Sequence, residues 1–143
     1  MTLHAPARDL VILLTRLGVG VVMFAHGWQK LVTYGIDGAA AGLGQAGVPA
    51  PALLASLAAG IELLGGAALV LGLLVPVVGL LLALDMLGAF VLVHAGNGIF
   101  VDQGGFELVL TLGLASLLLA VIGAGRYSLD RVLPGLRRTT VPA

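Results

Sequence analysis

The fold class predicted by this sequence is an all-α membrane protein: a bundle of four transmembrane helices, up-down-up-down, with both termini cytoplasmic. Three observations predict it. Of 143 residues, 59% are hydrophobic and only 10% charged, against about 25% charged in soluble domains, and the mean hydropathy is +1.14. Four apolar runs, each near the ~20 residues that cross a bilayer, are separated by breaks rich in Gly and Pro. Lys and Arg gather at the chain ends. Arg8, Arg126, Arg131, Arg137 and Arg138 lie there, while the loops after the first and third runs share only Lys30. That asymmetry places both ends on the cytoplasmic side.

The length fits one domain. The chain has no cysteine, which excludes disulfides, thiol redox chemistry and thiolate metal sites within it. Formal net charge is zero, and no basic tract is long enough to predict nucleic-acid binding.

Taken in order, residues 1–7 form a short, frayed polar start. The first span covers about 8–32. Arg8 before an apolar run has the outline of a signal peptide. Arg16 interrupts that run, and the apolar stretch outlasts a signal peptide, so cleavage is not expected. Residues 33–50 contain Gly38, Gly42 and Gly44, which weaken a helix. They read as a loop with room for a short interfacial helix. The second span, about 51–74, begins at Pro51, a residue suited to the first helical position. Gly72 and Pro76 mark a tight reversal into the third span, 76–94. Residues 95–105 form a turn-rich loop, and the fourth span covers 106–124. Residues 125–143 leave the membrane as a cytoplasmic tail, with a short surface helix starting near Ser128. Trp28, Tyr34, Phe100 and Phe106 fall at the outer ends and Tyr127 at the inner end, as aromatic belts do.

The ionisable residues inside these spans need partners. At about 1.5 Å per residue, Arg16 and Asp85 lie roughly 12 Å, and Glu62 roughly 18 Å, from the cytoplasmic ends of their helices. They are expected to meet as a buried charge cluster, because a lone charge at mid-bilayer costs about 2.5–3.5 kcal/mol. One arginine against two carboxylates leaves one negative charge over, which a proton on one carboxylate, Glu62 by preference, would neutralise. Around Glu62, Ala55, Ala58, Ala59, Gly65 and Gly66 form a small-residue face for close helix packing. A second layer, His26, Gln29, Lys30, His94 and Glu107, is expected as a ligand rim near the outer surface. Asp85 and His94 are nine residues apart, so on a regular helix they face opposite sides; the third span must kink, end or serve both. Two histidines at matched depth are too weak a pattern to predict haem. No metal-ligand spacing or phosphate loop is present, so no metal site is expected.

Several pieces in order resemble one family: Arg16-Leu-Gly-x-Gly, His26-Gly-Trp-Gln-Lys30-Leu, Glu62-Leu-Leu-Gly-Gly with Leu71-Gly-Leu-Leu, Val93-His94 before Asn97-Gly-Ile-Phe100, Gly105-Phe-Glu107, and Gly125-Arg-Tyr-Ser-Leu-Asp130. Together they resemble the DoxX family. The resemblance implies a small four-helix, multi-pass protein of the bacterial inner membrane, tied to redox or sulfur metabolism and oxidative stress. Some members are similar to a subunit of a thiosulfate:quinone oxidoreductase. Others are implicated in a membrane complex with a sulfurtransferase and a superoxide dismutase. Members often carry Arg in the turn where this chain has Val75-Pro76.

The expected function is a subunit that binds a quinone or small sulfur species at the outer rim and docks soluble redox enzymes. It would be at most one part of a quinone-linked oxidoreductase. The other classes are a small proton-coupled or weak-acid transporter using Arg16, Glu62 and Asp85, and a structural anchor with no site. Besides the lipid bilayer, a second copy of the chain is a candidate partner through the Gly/Ala faces.

Overall fold

The computed structural model describes residues 5–133. The start of the polar N-terminus and the end of the tail, with Arg137 and Arg138, lie outside the described residues. Helix α1 is Ala5–Trp28 and continues through a π turn, Gln29–Thr33. Then follow α2 (Gly35–Gln45), α3 (Pro51–Leu71) and α4 (Val75–Ala89), the last extended by a second π turn, Phe90–His94. A 3₁₀ turn at Val101–Gln103 leads to α5 (Glu107–Ile122) and a one-turn α6 (Leu129–Val132). Three rods, Ala5–Thr33, Pro51–Leu71 and Val75–His94, are long and apolar enough to cross a membrane, and Glu107–Ile122 is a shorter apolar helix.

Two elements depart from the sequence expectation. Ala5, Pro6 and Ala7, expected to fray, are helical. Residues 35–45, expected as loop with a short interfacial helix, are helical throughout. Each glycine there costs up to about 1 kcal/mol, but the segment packs along α3 and buries Ala40.

Packing runs in pairs: α1 lies on α3, and α4 lies on α5. The α1–α3 contact is backbone on backbone. A Cβ on Gly20 would stand 2.8 Å from the Gly66 carbonyl oxygen, and one on Gly27 would run into the Leu63 backbone. The buried stripe of α3, Ala55, Ala59, Glu62, Gly66 and Leu69, is the small-residue face carrying one carboxylate. On the α4–α5 side, a Cβ on Gly79 would meet the Ser116 carbonyl oxygen at 2.7 Å. α3 and α4 meet near their connecting turn, where Gly65 faces Leu82.

The outside is apolar. Leu14, Val21, Leu64, Leu114 and Val121 are each more than half exposed, while Arg16, Glu62 and Asp130 are buried. Soluble monomers do not carry such continuous apolar surface. With three spanning-length rods, this inversion marks a multi-pass membrane protein.

Candidate functional site

The polar residues inside the bundle form two separate groups. One lies at the α3–α4 turn. α3 ends on Gly72, at φ 71°, with the Leu73 N–H reaching back to the Ala68 carbonyl at 2.8 Å, a Schellman closure. Leu74 follows at φ 50°, a left-handed conformation costly for leucine. Asp130, fully buried, holds it there. One carboxylate oxygen accepts the Leu74 N–H at 2.6 Å and the other the Val75 N–H at 3.0 Å. Its own N–H donates to the Gly72 carbonyl at 3.0 Å. A carboxylate over free N–H groups at a helix start is the favoured arrangement. Arg16, also fully buried, lies against Gly72 and donates to the Tyr127 carbonyl at 2.6 Å. Asp9 accepts the Arg126 N–H at 3.2 Å.

Arg16 therefore does not join Glu62 and Asp85. Gly72, its neighbour, is ten residues along the chain from Glu62, about 15 Å on a helix. The depth expected for Arg16 takes Arg8 as the helix start, whereas residues 5–7 are helical too, and the segment around Arg126 and Tyr127 folds back onto Asp9 and Arg16. Asp130, expected on a surface helix, was not singled out as a partner. The turn it caps is 55 positions away. The readable signal was indirect: a buried arginine, and a helix start at Val75-Pro76 with nothing local to cap it.

The second group surrounds a cavity of about 560 Å³ between α1, α3, α4 and the start of α5. Its walls are mainly Leu, Val, Ile, Met and Ala, and its polar members are His26, Lys30, Glu62, Asp85 and His94. Lys30 donates to Glu62 Oε2 at 2.6 Å, the ion pair found among the described residues. Glu62 is 3% exposed and is paired with Lys30, where the sequence expectation paired it with Arg16. Among the described residues Asp85 makes no ion pair within 4 Å, and its Oδ2 is buried with no hydrogen-bond partner. Glu62 lies nine residues from Leu71 and Asp85 ten from Val75, both about 14–15 Å from the α3–α4 turn.

The π turns bring this group together. In each, an N–H bonds five residues back: Tyr34 to the Gln29 carbonyl at 2.9 Å and Ala95 to the Phe90 carbonyl at 2.8 Å. Taking one extra residue into a turn slips the helix phase by about 100°. This lets His94 and Asp85 line the same cavity despite their nine-residue spacing. His94 Nδ1 donates to the Gly104 carbonyl at 2.6 Å, so in the neutral ring Nε2 is an acceptor.

Two members of the expected rim lie elsewhere. Gln29 lines a shallow outer groove with Phe24, Trp28 and Thr33, which only His26 shares with the cavity. Glu107 accepts the Val101 N–H at 2.8 Å and so braces the 3₁₀ turn. Its helix neighbour Thr111 donates to the Glu107 backbone carbonyl at 2.7 Å.

The DoxX family profile matches residues 11–95. The chain belongs to the DoxX family. The matched stretch holds every polar member of the cavity and excludes Glu107 and Asp130. Among relatives, the chain is 34% identical to the Bacillus subtilis protein named "Putative oxidoreductase CatD", over 82% of this chain and 83% of that one. It is 36% identical to the uncharacterized membrane protein Rv3486 of Mycobacterium tuberculosis, over 92% and 85%. It is 29% identical to the inner membrane protein YphA of Escherichia coli, over 87% and 91%. No solved structure matches this DoxX chain.

Proposed function

We propose that this DoxX protein is a quinone-binding subunit of a redox assembly in the bacterial inner membrane. In this reading α1, α3, α4 and α5 are four spans, and both termini face the cytoplasm. Arg8, Arg126 and Arg131, which flank the two chain ends and which the Asp9–Arg126 contact brings to one side of the bundle, support that orientation. The names of two relatives, an oxidoreductase and an inner membrane protein, support the redox and membrane settings.

The observation that carries the proposal is Asp85 Oδ2, buried and unpartnered in the wall of an otherwise apolar cavity. Buried polar atoms ordinarily have partners, so a ligand that hydrogen-bonds there would complete the site. An apolar pocket with a few convergent polar groups is the usual form of a small-molecule site. A quinone ring suits it: apolar faces for the Leu, Ile and Met walls, and carbonyl oxygens that accept from Lys30 or His26. Its quinol has O–H groups that donate to Asp85 or to His94 Nε2. The chain has no cysteine, so its own chemistry is to hold the ring and move protons. Turning quinone to quinol takes two electrons and two protons; the electrons come from a reduced sulfur compound oxidised outside this chain, two thiosulfates joining as tetrathionate, and a soluble partner such as a sulfurtransferase would handle the sulfur species. A small sulfur anion is the alternative ligand, recognised by Lys30 and His26.

The test is equilibrium binding of a benzoquinone to protein in lipid nanodiscs. Wild-type binding weakened at least tenfold by Asp85→Asn supports the proposal. Thiosulfate binding with no quinone binding moves it to the sulfur ligand. Binding of neither, with proton flux into liposomes abolished by Glu62→Gln, would make the protein a transporter instead. Binding of neither and no flux, with partner enzymes still retained, leaves a membrane anchor.

A further inference from the structure

The cavity is not closed on all sides. Leu57 on α3 and Leu81 and Leu84 on α4 line it, yet they are 51%, 47% and 54% exposed. Residues that both line an interior space and face outward lie at its opening. They sit on facing stripes of the two helices, with Ala58 and Ile61 behind Leu57 and Gly88 one turn beyond Leu84. Toward the α3–α4 turn the helices are in contact, since a Cβ on Gly65 would stand 3.1 Å from Leu82. At Gly88 that contact is gone: a Cβ there would meet nothing within 4 Å. The opening runs from Leu84 to Gly88, nine and thirteen residues into α4, or about 14–20 Å from its start, level with Leu57. In a spanning helix that depth lies in hydrocarbon. The polar groups, by contrast, are grouped on the inner side of the cavity, where Glu62 is buried against α1 and paired with Lys30.

We infer that the cavity is entered sideways from the lipid, between α3 and α4, and that its ligand is an amphiphile with a hydrogen-bonding head and one apolar tail. The head lies at Lys30, Glu62 and Asp85, and the tail leaves over Gly88 between Leu57, Leu81 and Leu84. This deepens the quinone reading, on which it rests for the identity of the head; the direction of entry rests on the opening alone. It separates a lipid-borne ligand from a water-borne one.

Two benzoquinones with the same ring, one with a decyl tail and one without, are the probes for wild type and Gly88→Leu in nanodiscs. The open space at Gly88 accommodates leucine, which would occupy the tail path. The expected result is wild-type affinity at least tenfold higher for the decyl form after correction for lipid partitioning. In Gly88→Leu that preference falls to within about twofold, while binding of the tailless ring persists. Equal corrected affinities in wild type, unchanged by Gly88→Leu, would leave the quinone reading standing and overturn the side entry. If wild type binds neither quinone, the quinone reading fails and entry is decided by a second measurement. The chain has no cysteine, so Gly88→Cys takes a single nitroxide. Relaxation by dissolved oxygen, and not by an aqueous nickel chelate, supports entry from lipid; the reverse overturns it.

Discussion

Both ends of the bundle interior hold buried charge, but they are built differently. At the α3–α4 turn, Asp130 spends both oxygens on backbone N–H groups, and Arg16 is pressed against Gly72, with one nitrogen on the Tyr127 carbonyl and Nε and Nη1 buried without a partner. Around the cavity, Lys30 and Glu62 satisfy each other, but Asp85 has an oxygen with no partner and about 560 Å³ of space beside it. Polar groups held in tight packing fix a fold. An unsatisfied one beside a void is placed for something that comes and goes. Burial, charge and an unpartnered polar atom are common to the two groups; the free volume beside Asp85 separates them.

The largest expected loss of stability is at the turn. Asp130→Ala removes two hydrogen bonds to an ionised acceptor, each worth about 1.5–3 kcal/mol, and leaves Leu74 strained. Thermal unfolding in detergent should show a loss of about 3–5 kcal/mol. A wild-type melting curve would mean the clamp is incidental. Next, Glu62→Ala strands Lys30 in an apolar wall. Breaking one side of a buried pair costs about 3–5 kcal/mol; Lys30 is 28% exposed, so about 2–3 kcal/mol is expected. Replacing both residues by Met should recover most of that stability without recovering ligand binding. Recovery of binding as well would show that the pair does not contact the ligand.

A purely steric change sharpens the contrast further. Gly27→Ala drives a methyl into the Leu63 backbone, where no flexible side chain can yield. Overpacking of this kind costs about 1–3 kcal/mol. It should also shift α1 and so weaken ligand binding through Lys30 and His26. Chemical unfolding and binding measured on the same sample would show both losses; stability lost with binding intact would separate the α1 contact from the site.

Much of this was legible in the sequence, for physical reasons. The helical, membrane-embedded character follows from composition and run length, which no tertiary contact alters. The packing face around Glu62 follows from helical periodicity. The polar contacts were less legible. Depth arithmetic places backbones, but a lysine side chain reaches several ångströms from its own level, which is how Lys30 leaves the outer rim for Glu62. The π turns change helix phase without any distinctive residue, so the apparent opposition of Asp85 and His94 could not be resolved from spacing. Asp130 lies in a stretch that reads as polar surface, because its partners are backbone groups on a turn 55 positions away. Gln29 and Glu107 share the depth of the cavity residues, but depth does not specify the direction in which a side chain points.

The smallest expected effect on stability belongs to Asp85→Asn, and it is the most informative. Removing a charge from a buried carboxylate with an unpartnered oxygen relieves an unfavourable term, while the amide preserves the volume. Unfolding free energy should change by no more than about 1 kcal/mol, because the amide stays an incompletely partnered polar group in the same volume. Ligand affinity should nevertheless fall at least tenfold. Asp130→Asn should do the opposite. It weakens the two backbone contacts and lowers stability, yet leaves cavity binding in the folded fraction within about twofold. The two substitutions make the same chemical change, one carboxylate to one amide, at two buried positions. Opposite outcomes would identify Asp85 as a ligand contact and Asp130 as a structural clamp; parallel losses of stability and binding would show that the two regions work as one.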